Sequence, residues 1–199
     1  HTMSRPSSLV SLLLALALAG LVSPAPAQPK FDAQHVGGPG SGGDAELWMP
    51  ANTTGKVPAV VVLHGCDGPG KHYSNWARLL QSWGYAALLI DSFGPRGQRN
   101  VCNHGGLIPP SERSKDAYRG AEWLRSLPDI DGAHIGVIGF SHGGWTVLNL
   151  VLRDKMAAAG GTVPFAAAVA YYPGCENPGS PLVTDTLILI GDRDDWTPL

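Results

Sequence analysis

The chain has 199 residues, of which 44% are hydrophobic and 15% charged, and a formal net charge of −2. A near-neutral chain with no cluster of Lys and Arg has no footprint for nucleic acid, and this much apolar content excludes a disordered polyelectrolyte. No internal repeat is visible, and the length fits one globular domain with enough apolar residues to bury a core.

His1 and Thr2 precede the first methionine and read as vector or upstream residues. After Met3 come a lone positive charge at Arg5, an uncharged apolar run from Leu9 to Val22, and Ala25-Pro26-Ala27. That order predicts a secretory signal peptide cleaved near Ala27, which places the mature chain in the periplasm or outside the cell. The run is shorter than the roughly 18 residues that a spanning helix needs, so no membrane association is expected after cleavage. The organisation expected is therefore 1–27 as tag remnant and signal, and 28–199 as one domain. The glycine-rich stretch Gly37 to Gly43 reads as a flexible loop before the first strand.

Ala45 to Met49 predicts a short edge strand closed by Pro50. Ala59 to Leu63 is an unbroken apolar run without polar alternation, as in a parallel strand covered on both faces. A helix follows, with Trp76, Leu79, Leu80 and Trp83 on one face, a cap at Ser74 or Asn75 and a stop at Gly84. Tyr85 to Ile90 is the next buried strand, and a long loop then runs from Asp91 through Pro110; loops of that length inside a domain are usually functional. Ser111 to Leu127 reads as an amphipathic helix that Pro128 ends. Two more strands are predicted at Ala166 to Tyr171 and Leu187 to Ile190. Strands alternating with helices in this way predict a doubly wound, mostly parallel α/β sheet.

The most informative stretch is Val137 to Trp145, where an apolar run enters Gly139-Phe140-Ser141-His142-Gly143 and then a helical pattern through Gly144, Val147, Leu148, Val151 and Leu152. Gly-x-Ser-x-Gly between strand and helix is the pattern of a nucleophile elbow, in which Ser141 would stand exposed at the carboxyl edge of the sheet. The loop His64-Gly65-Cys66-Asp67-Gly68 leaves the strand beside it. In a doubly wound sheet such loops build the ligand site. The amide of Cys66 would there join that of His142 as an oxyanion hole. Arg96, and less readily Arg99, sit on the long loop, where a guanidinium could hold a substrate carboxylate through two parallel bonds. An exported chain meets an oxidising compartment, and Cys66 and Cys102 both lie on loops at the strand carboxyl ends, so a disulfide between them is expected. Cys175 is left over.

Five segments together resemble the dienelactone hydrolase family of the α/β-hydrolase superfamily: Val-Val-Leu-His-Gly-Cys at 61–66, Asp-Ser-Phe-Gly-Pro-Arg-Gly at 91–97, Gly-Phe-Ser-His-Gly-Gly at 139–144, Tyr-Tyr-Pro-Gly-Cys at 171–175 and Leu-Ile-Gly-Asp-Arg-Asp-Asp-Trp-Thr-Pro at 189–198. The resemblance implies the α/β-hydrolase sheet and a triad acid at Asp194, with Asp192 and Asp195 as near alternatives. It also implies a partner for Cys175 just after the Trp-Thr-Pro segment. Founding members of the family use a cysteine nucleophile. Ser141 in that place shifts the expectation from dienelactone itself toward general ester or lactone hydrolysis without metal or organic cofactor.

In α/β-hydrolases the triad runs serine, acid, histidine along the chain. The histidines here are His1, His35, His64, His72, His104, His134 and His142, and none follows Asp194. With no final helix over the last strand and no partner for Cys175, the sequence reads as lacking its C-terminal part, and little turnover is expected of it as given. His64 is the weaker alternative as a base, being more readily bonded to backbone. Two functional readings stand: a serine hydrolase, with peptidase or lipase as variants of the same fold, or a non-catalytic hydrolase scaffold or inactive fragment.

Overall fold

The structure is a computed structural model, and it describes residues 30–31, 44–51, 53–175 and 179–197. The predicted signal segment and the glycine-rich stretch 37–43 lie outside the described residues.

A seven-stranded sheet in the order β1-β2-β4-β3-β5-β6-β7 forms the centre. Its strands are β1 (Lys30–Phe31), β2 (Asp44–Trp48), β3 (Val57–Leu63), β4 (Ala86–Asp91), β5 (Ile130–Phe140), β6 (Ala168–Tyr171) and β7 (Thr186–Leu189). β1 and β2 pair antiparallel, as do β2 and β4, and every pairing from β4 through β7 is parallel. The helices are α1 (Lys71–Ser82), α2 (Pro110–Ser126), α3 (His142–Leu150) and α4 (Arg153–Ala158). The expected α/β architecture is present.

The unbroken apolar runs are explained by which neighbour each side chain meets. Val61, Leu63, Leu88, Ile90 and Val137 point to one face, against Ala117, Ala121 and Leu124 of α2 and Val147 and Leu150 of α3. Val62, Leu89, Ile138 and Phe140 point to the other, against Tyr73, Ala77 and Leu80 of α1. A strand buried on both sides has no position left for a polar residue. Each such side chain contributes about 1.5–3 kcal/mol by leaving water, which fixes the register that aligns the strand ends.

Several element bounds differ from those the sequence suggests. β3 begins at Val57 and takes in Pro58, because the register with β5 shifts between Val57 and Ala59 and the missing N–H of proline falls at that irregularity. α1 begins at Lys71 behind Gly70, ahead of the Ser74 or Asn75 cap. Its buried stripe is Tyr73, Ala77 and Leu80, spaced four and three, while Leu79 and Trp83 are exposed. The aromatic face expected there is therefore corrected: Trp83 caps the helix end in solvent. α2 starts with Pro110, whose missing N–H costs nothing in a first turn. It stops where Leu127, pushed by Pro128, turns extended at ψ 135°. α3 is two residues shorter than its apolar pattern, and the short helix α4 after it was not expected.

Candidate active site

Because β5 is parallel to its neighbours, Ser141 at its end lies on the same edge as the loops leaving β3, β4, β6 and β7. Ser141 adopts φ 52°, ψ −115°, a conformation that a residue with a Cβ rarely takes. A Cβ on Gly139 would collide with the backbone of Gly143 and Gly144, and one on Gly143 with the carbonyls of Leu63 and His64. The two glycines of the motif are what lets α3 leave so close to β3 and β5. The Ser141 amide donates to Tyr171 O at 2.9 Å. Tyr172, the next residue, is the other described non-glycine residue with positive φ, at 35°. Strain of this kind clusters at functional sites.

The loop after β3 is held at several points. Cys66 and Cys102 form the expected disulfide, with a Cα separation of 4.7 Å, and Val101 N donates to Cys66 O at 2.8 Å. Phe93, Val101 and Ile108 make a small apolar cluster with Cys66 beneath the 91–110 loop. This long loop is thus an ordered wall of the site. Cys175 is a free, exposed thiol.

Neither histidine next to the elbow faces the serine. His64 is fully buried; its Nδ1 is bonded to Gly65 O at 2.7 Å, and its Nε2 accepts from Ser92 N–H at 3.3 Å. The His142 ring takes Arg113 Nη1 on Nδ1 at 2.9 Å and reaches Gly105 O with Nε2 at 2.8 Å. A guanidinium can only donate, so the His142 proton resides on Nε2. Among the described residues no histidine nitrogen is hydrogen-bonded to the Ser141 hydroxyl.

Burial, and then the charge of Arg113, hold both rings neutral: His64 falls well below its ordinary value of 6.5, and His142 falls to about 4. Both folded-state values are depressed, so the unfolded chain takes up these protons first as pH falls. Stability present above pH 6.5 should be lost progressively between about 6.5 and 4. His142 alone contributes on the order of 3 kcal/mol to that loss, and His64 acts in the same direction. Urea midpoints at pH 7 and pH 4.5 check this, and His142→Gln should flatten the dependence.

Asp194 lies on the loop after β7 and is partly exposed. Its carboxylate accepts from the Thr197 amide at 2.8 Å, the Thr197 hydroxyl at 2.7 Å and the Trp196 amide at 3.0 Å. Those donors, with Thr197 contributing most, keep its carboxyl below the usual range. Asp194 therefore stays ionised at neutral pH, with lone pairs on Oδ2 still open to a further donor.

Arg96 requires a correction. Its fork is taken by an internal carboxylate: Nη1 bonds Asp116 Oδ2 at 2.8 Å and Nη2 bonds Asp116 Oδ1 at 3.0 Å. Nη1 also reaches Ser92 O at 2.6 Å. Asp116 is 2% exposed, so a buried acid on α2 claims the guanidinium that the sequence offered to a substrate, and Arg96 pins its loop to that helix.

Two residues of the site escaped the sequence reading. Tyr73 accepts from Gly65 N–H at 2.7 Å and donates to Asp67 Oδ1 at 2.9 Å. Arg113, fully buried, donates to His64 O at 2.8 Å as well as to His142. The signal for each was position. Arg113 continues the buried stripe Ala117, Ala121, Leu124, and a cation on an apolar stripe has to have a partner.

Comparison with known proteins agrees with this arrangement. Residues 44–194 match the model of the dienelactone hydrolase family. A curated Bradyrhizobium relative, named as a probable 2-oxo-3-(5-oxofuran-2-ylidene)propanoate lactonase, is 27% identical over 172 residues, covering 79% of this chain and 68% of that one. An uncharacterized Mycobacterium tuberculosis protein is 28% identical over 168 residues, and the alignment spans 76% of this chain but only 57% of that protein. Among solved structures, one carrying the dienelactone hydrolase name, from Klebsiella pneumoniae, superposes with a TM-score of 0.65 at 21% identity, over 86% of this chain and 75% of that one. A dienelactone hydrolase-like promiscuous phosphotriesterase from metagenomic libraries gives 0.60 at 21% identity, over 86% and 70%. With residues 44–194 matched by the family model and the fold shared with solved structures, the chain belongs to the dienelactone hydrolase family and is a hydrolase of the α/β-hydrolase fold.

Proposed function

We propose that this chain is a serine hydrolase of small esters or lactones that works through an acyl-enzyme. The observation that carries the reading is the strained Ser141 at the carboxyl edge, between a helix N-terminus and the disulfide-held loop after β3. Ser141 Oγ attacks the carbonyl carbon and gives up its proton to a base, while the carbonyl π electrons move onto oxygen. The amides of Cys66 and His142 receive that oxyanion; His142 opens α3, so its N–H has no partner within the helix. Collapse breaks the bond to the alkoxide, which takes a proton and leaves, or in a lactone stays tethered to the acyl group. Water then attacks the acyl-serine and releases the acid. Asp194 is assigned to orient the histidine that serves as base, and His64 and His142 are not that histidine because their ring nitrogens are committed elsewhere. The lactonase name of the Bradyrhizobium relative supports a lactone or ester as substrate, and the disulfide supports export to an oxidising compartment.

A non-catalytic scaffold is the competing reading, favoured by the absence of any histidine bonded to the Ser141 hydroxyl among the described residues. Labelling with a fluorophosphonate separates the two, since it forms a stable Oγ–P bond only with an activated serine. One adduct, mapped to the Ser141 peptide and accompanied by hydrolysis of a neutral aryl ester, is the outcome the hydrolase reading requires. Folded protein that takes no label would overturn that reading for this chain in favour of a non-catalytic scaffold or an inactive fragment.

A further inference from the structure

We propose that Arg113 is a positioning residue that sets the aim of both oxyanion donors, an inference that rests on the serine-hydrolase reading above. Its two terminal nitrogens reach the two halves of the proposed oxyanion hole. Nη2 donates to the carbonyl of His64, the first residue after β3, and Nη1 to the ring of His142, whose own amide is the second donor.

The loop side follows peptide by peptide. The unit joining His64 to Gly65 is fixed at both ends, its carbonyl by Arg113 Nη2 and its N–H by the Tyr73 hydroxyl. The next unit, joining Gly65 to Cys66, has its carbonyl held by the His64 ring. In a trans peptide the N–H points opposite to the C=O. Securing Gly65 O on the His64 ring therefore sends the Cys66 N–H to the other side of the strand-end turn. The backbone from which the His64 ring reaches that carbonyl is held by Arg113 on one side and Tyr73 on the other. On the elbow side, donation to Nδ1 leaves the His142 proton on Nε2, where it meets Gly105 O. The first residue of α3 is thereby tied to the loop that carries Cys102. One buried cation so couples the elbow, the loop after β3 and the loop after β4.

The surroundings suit this use. Arg113 is 0% exposed and lies over the Phe93 ring at 5.0 Å, and its Nε has no partner. Among the described residues no carboxylate stands within ion-pair distance of it. An arginine buried only for stability would be expected to pair with an acid; here the two terminal nitrogens bond the His142 ring and the His64 carbonyl. Burial lowers its pKa to about 10, so it remains charged at neutral pH.

The test compares a neutral aryl ester with its thionoester, in which sulfur replaces the carbonyl oxygen. Sulfur is a weak hydrogen-bond acceptor, so donors aimed at an oxyanion favour the oxygen ester, and the ratio of the two acylation rates reports their aim. Arg113→Met is expected to lower that ratio about tenfold or more, with KM for the oxygen ester changing less than about threefold. Arg113→Lys, which keeps the charge but only one of the two reaches, should fall between. A folded Arg113→Met that keeps the parent ratio while both rates drop equally would overturn the proposal in favour of a purely structural arginine. Nitrogen-15 NMR of the parent gives a check that needs no variant: His142 should carry its proton on Nε2, and an Nδ1–H tautomer would also overturn the proposal. Failure of the parent itself to acylate at Ser141 is a separate result, which removes the hydrolase reading and this inference with it.

Discussion

Ser141→Ala should lose at least about a thousandfold of whatever ester turnover the parent shows, while melting at the parent temperature. The first half of that expectation follows from the role of Oγ: without it no acyl-enzyme can form, and only the remaining donors and binding contacts can assist attack by water. The second half follows from the backbone. Serine and alanine both carry a Cβ, so the φ of 52° costs each of them the same, and the helix that Ser141 precedes takes no side-chain cap bond from it. Loss of activity with an unchanged melt would therefore report chemistry and not folding. The measurement is kcat/KM on a neutral aryl ester, corrected for the buffer rate, beside a thermal melt. Turnover near the parent level would remove Ser141 from the mechanism.

Gly143→Ala should be among the most damaging single-methyl changes available in this chain, costing about 3 kcal/mol or more. The added carbon would meet the backbone carbonyls of Leu63 and His64, which cannot rotate away as a side chain could. Relief requires α3 to move off β3, which opens the packing of Val147 and Leu150 on the sheet and shifts the His142 amide at the same time. Stability and reactivity toward a fluorophosphonate should fall together. Gly106→Ala is the matched control, since a Cβ there meets nothing within 4 Å and its denaturation midpoint should stay at the parent value. Equal midpoints for the two variants would show that the elbow tolerates a wider approach than its geometry implies.

How much of this was legible beforehand depended on whether a residue answers to local or distant neighbours. The buried strands announced themselves because double-sided burial forces an uninterrupted apolar run, as in Val60-Val61-Val62-Leu63. The elbow was legible because its steric requirement falls within five consecutive positions. The disulfide could be argued from compartment and from both cysteines lying on strand-end loops. Arg96 was misread for the opposite reason: its partner, Asp116, lies 20 residues on, inside a helix whose exposed pattern gave no sign of a buried acid. Trp83 was misassigned because a large aromatic at helical spacing looks like core, yet the helix ends one residue before it. Arg113 and Tyr73 were missed because each acts on backbone carbonyls and amides, which carry no identity in a sequence.

The hydrogen bond from Ser141 N–H to Tyr171 O joins two strained neighbours, since Ser141 and Tyr172 both hold positive φ on either side of it. β6, the strand that ends at Tyr171, is buried at Ala168 and Ala170 and is paired on both edges, with β5 and with β7. A strand held in this way sits at the resistant end of the range of local opening. Relaxing either residue to ordinary backbone angles would mean breaking the bond between Ser141 N–H and Tyr171 O, so the two strained positions hold or release together. The reactive shape of the serine is in this sense borrowed from the strand beside it.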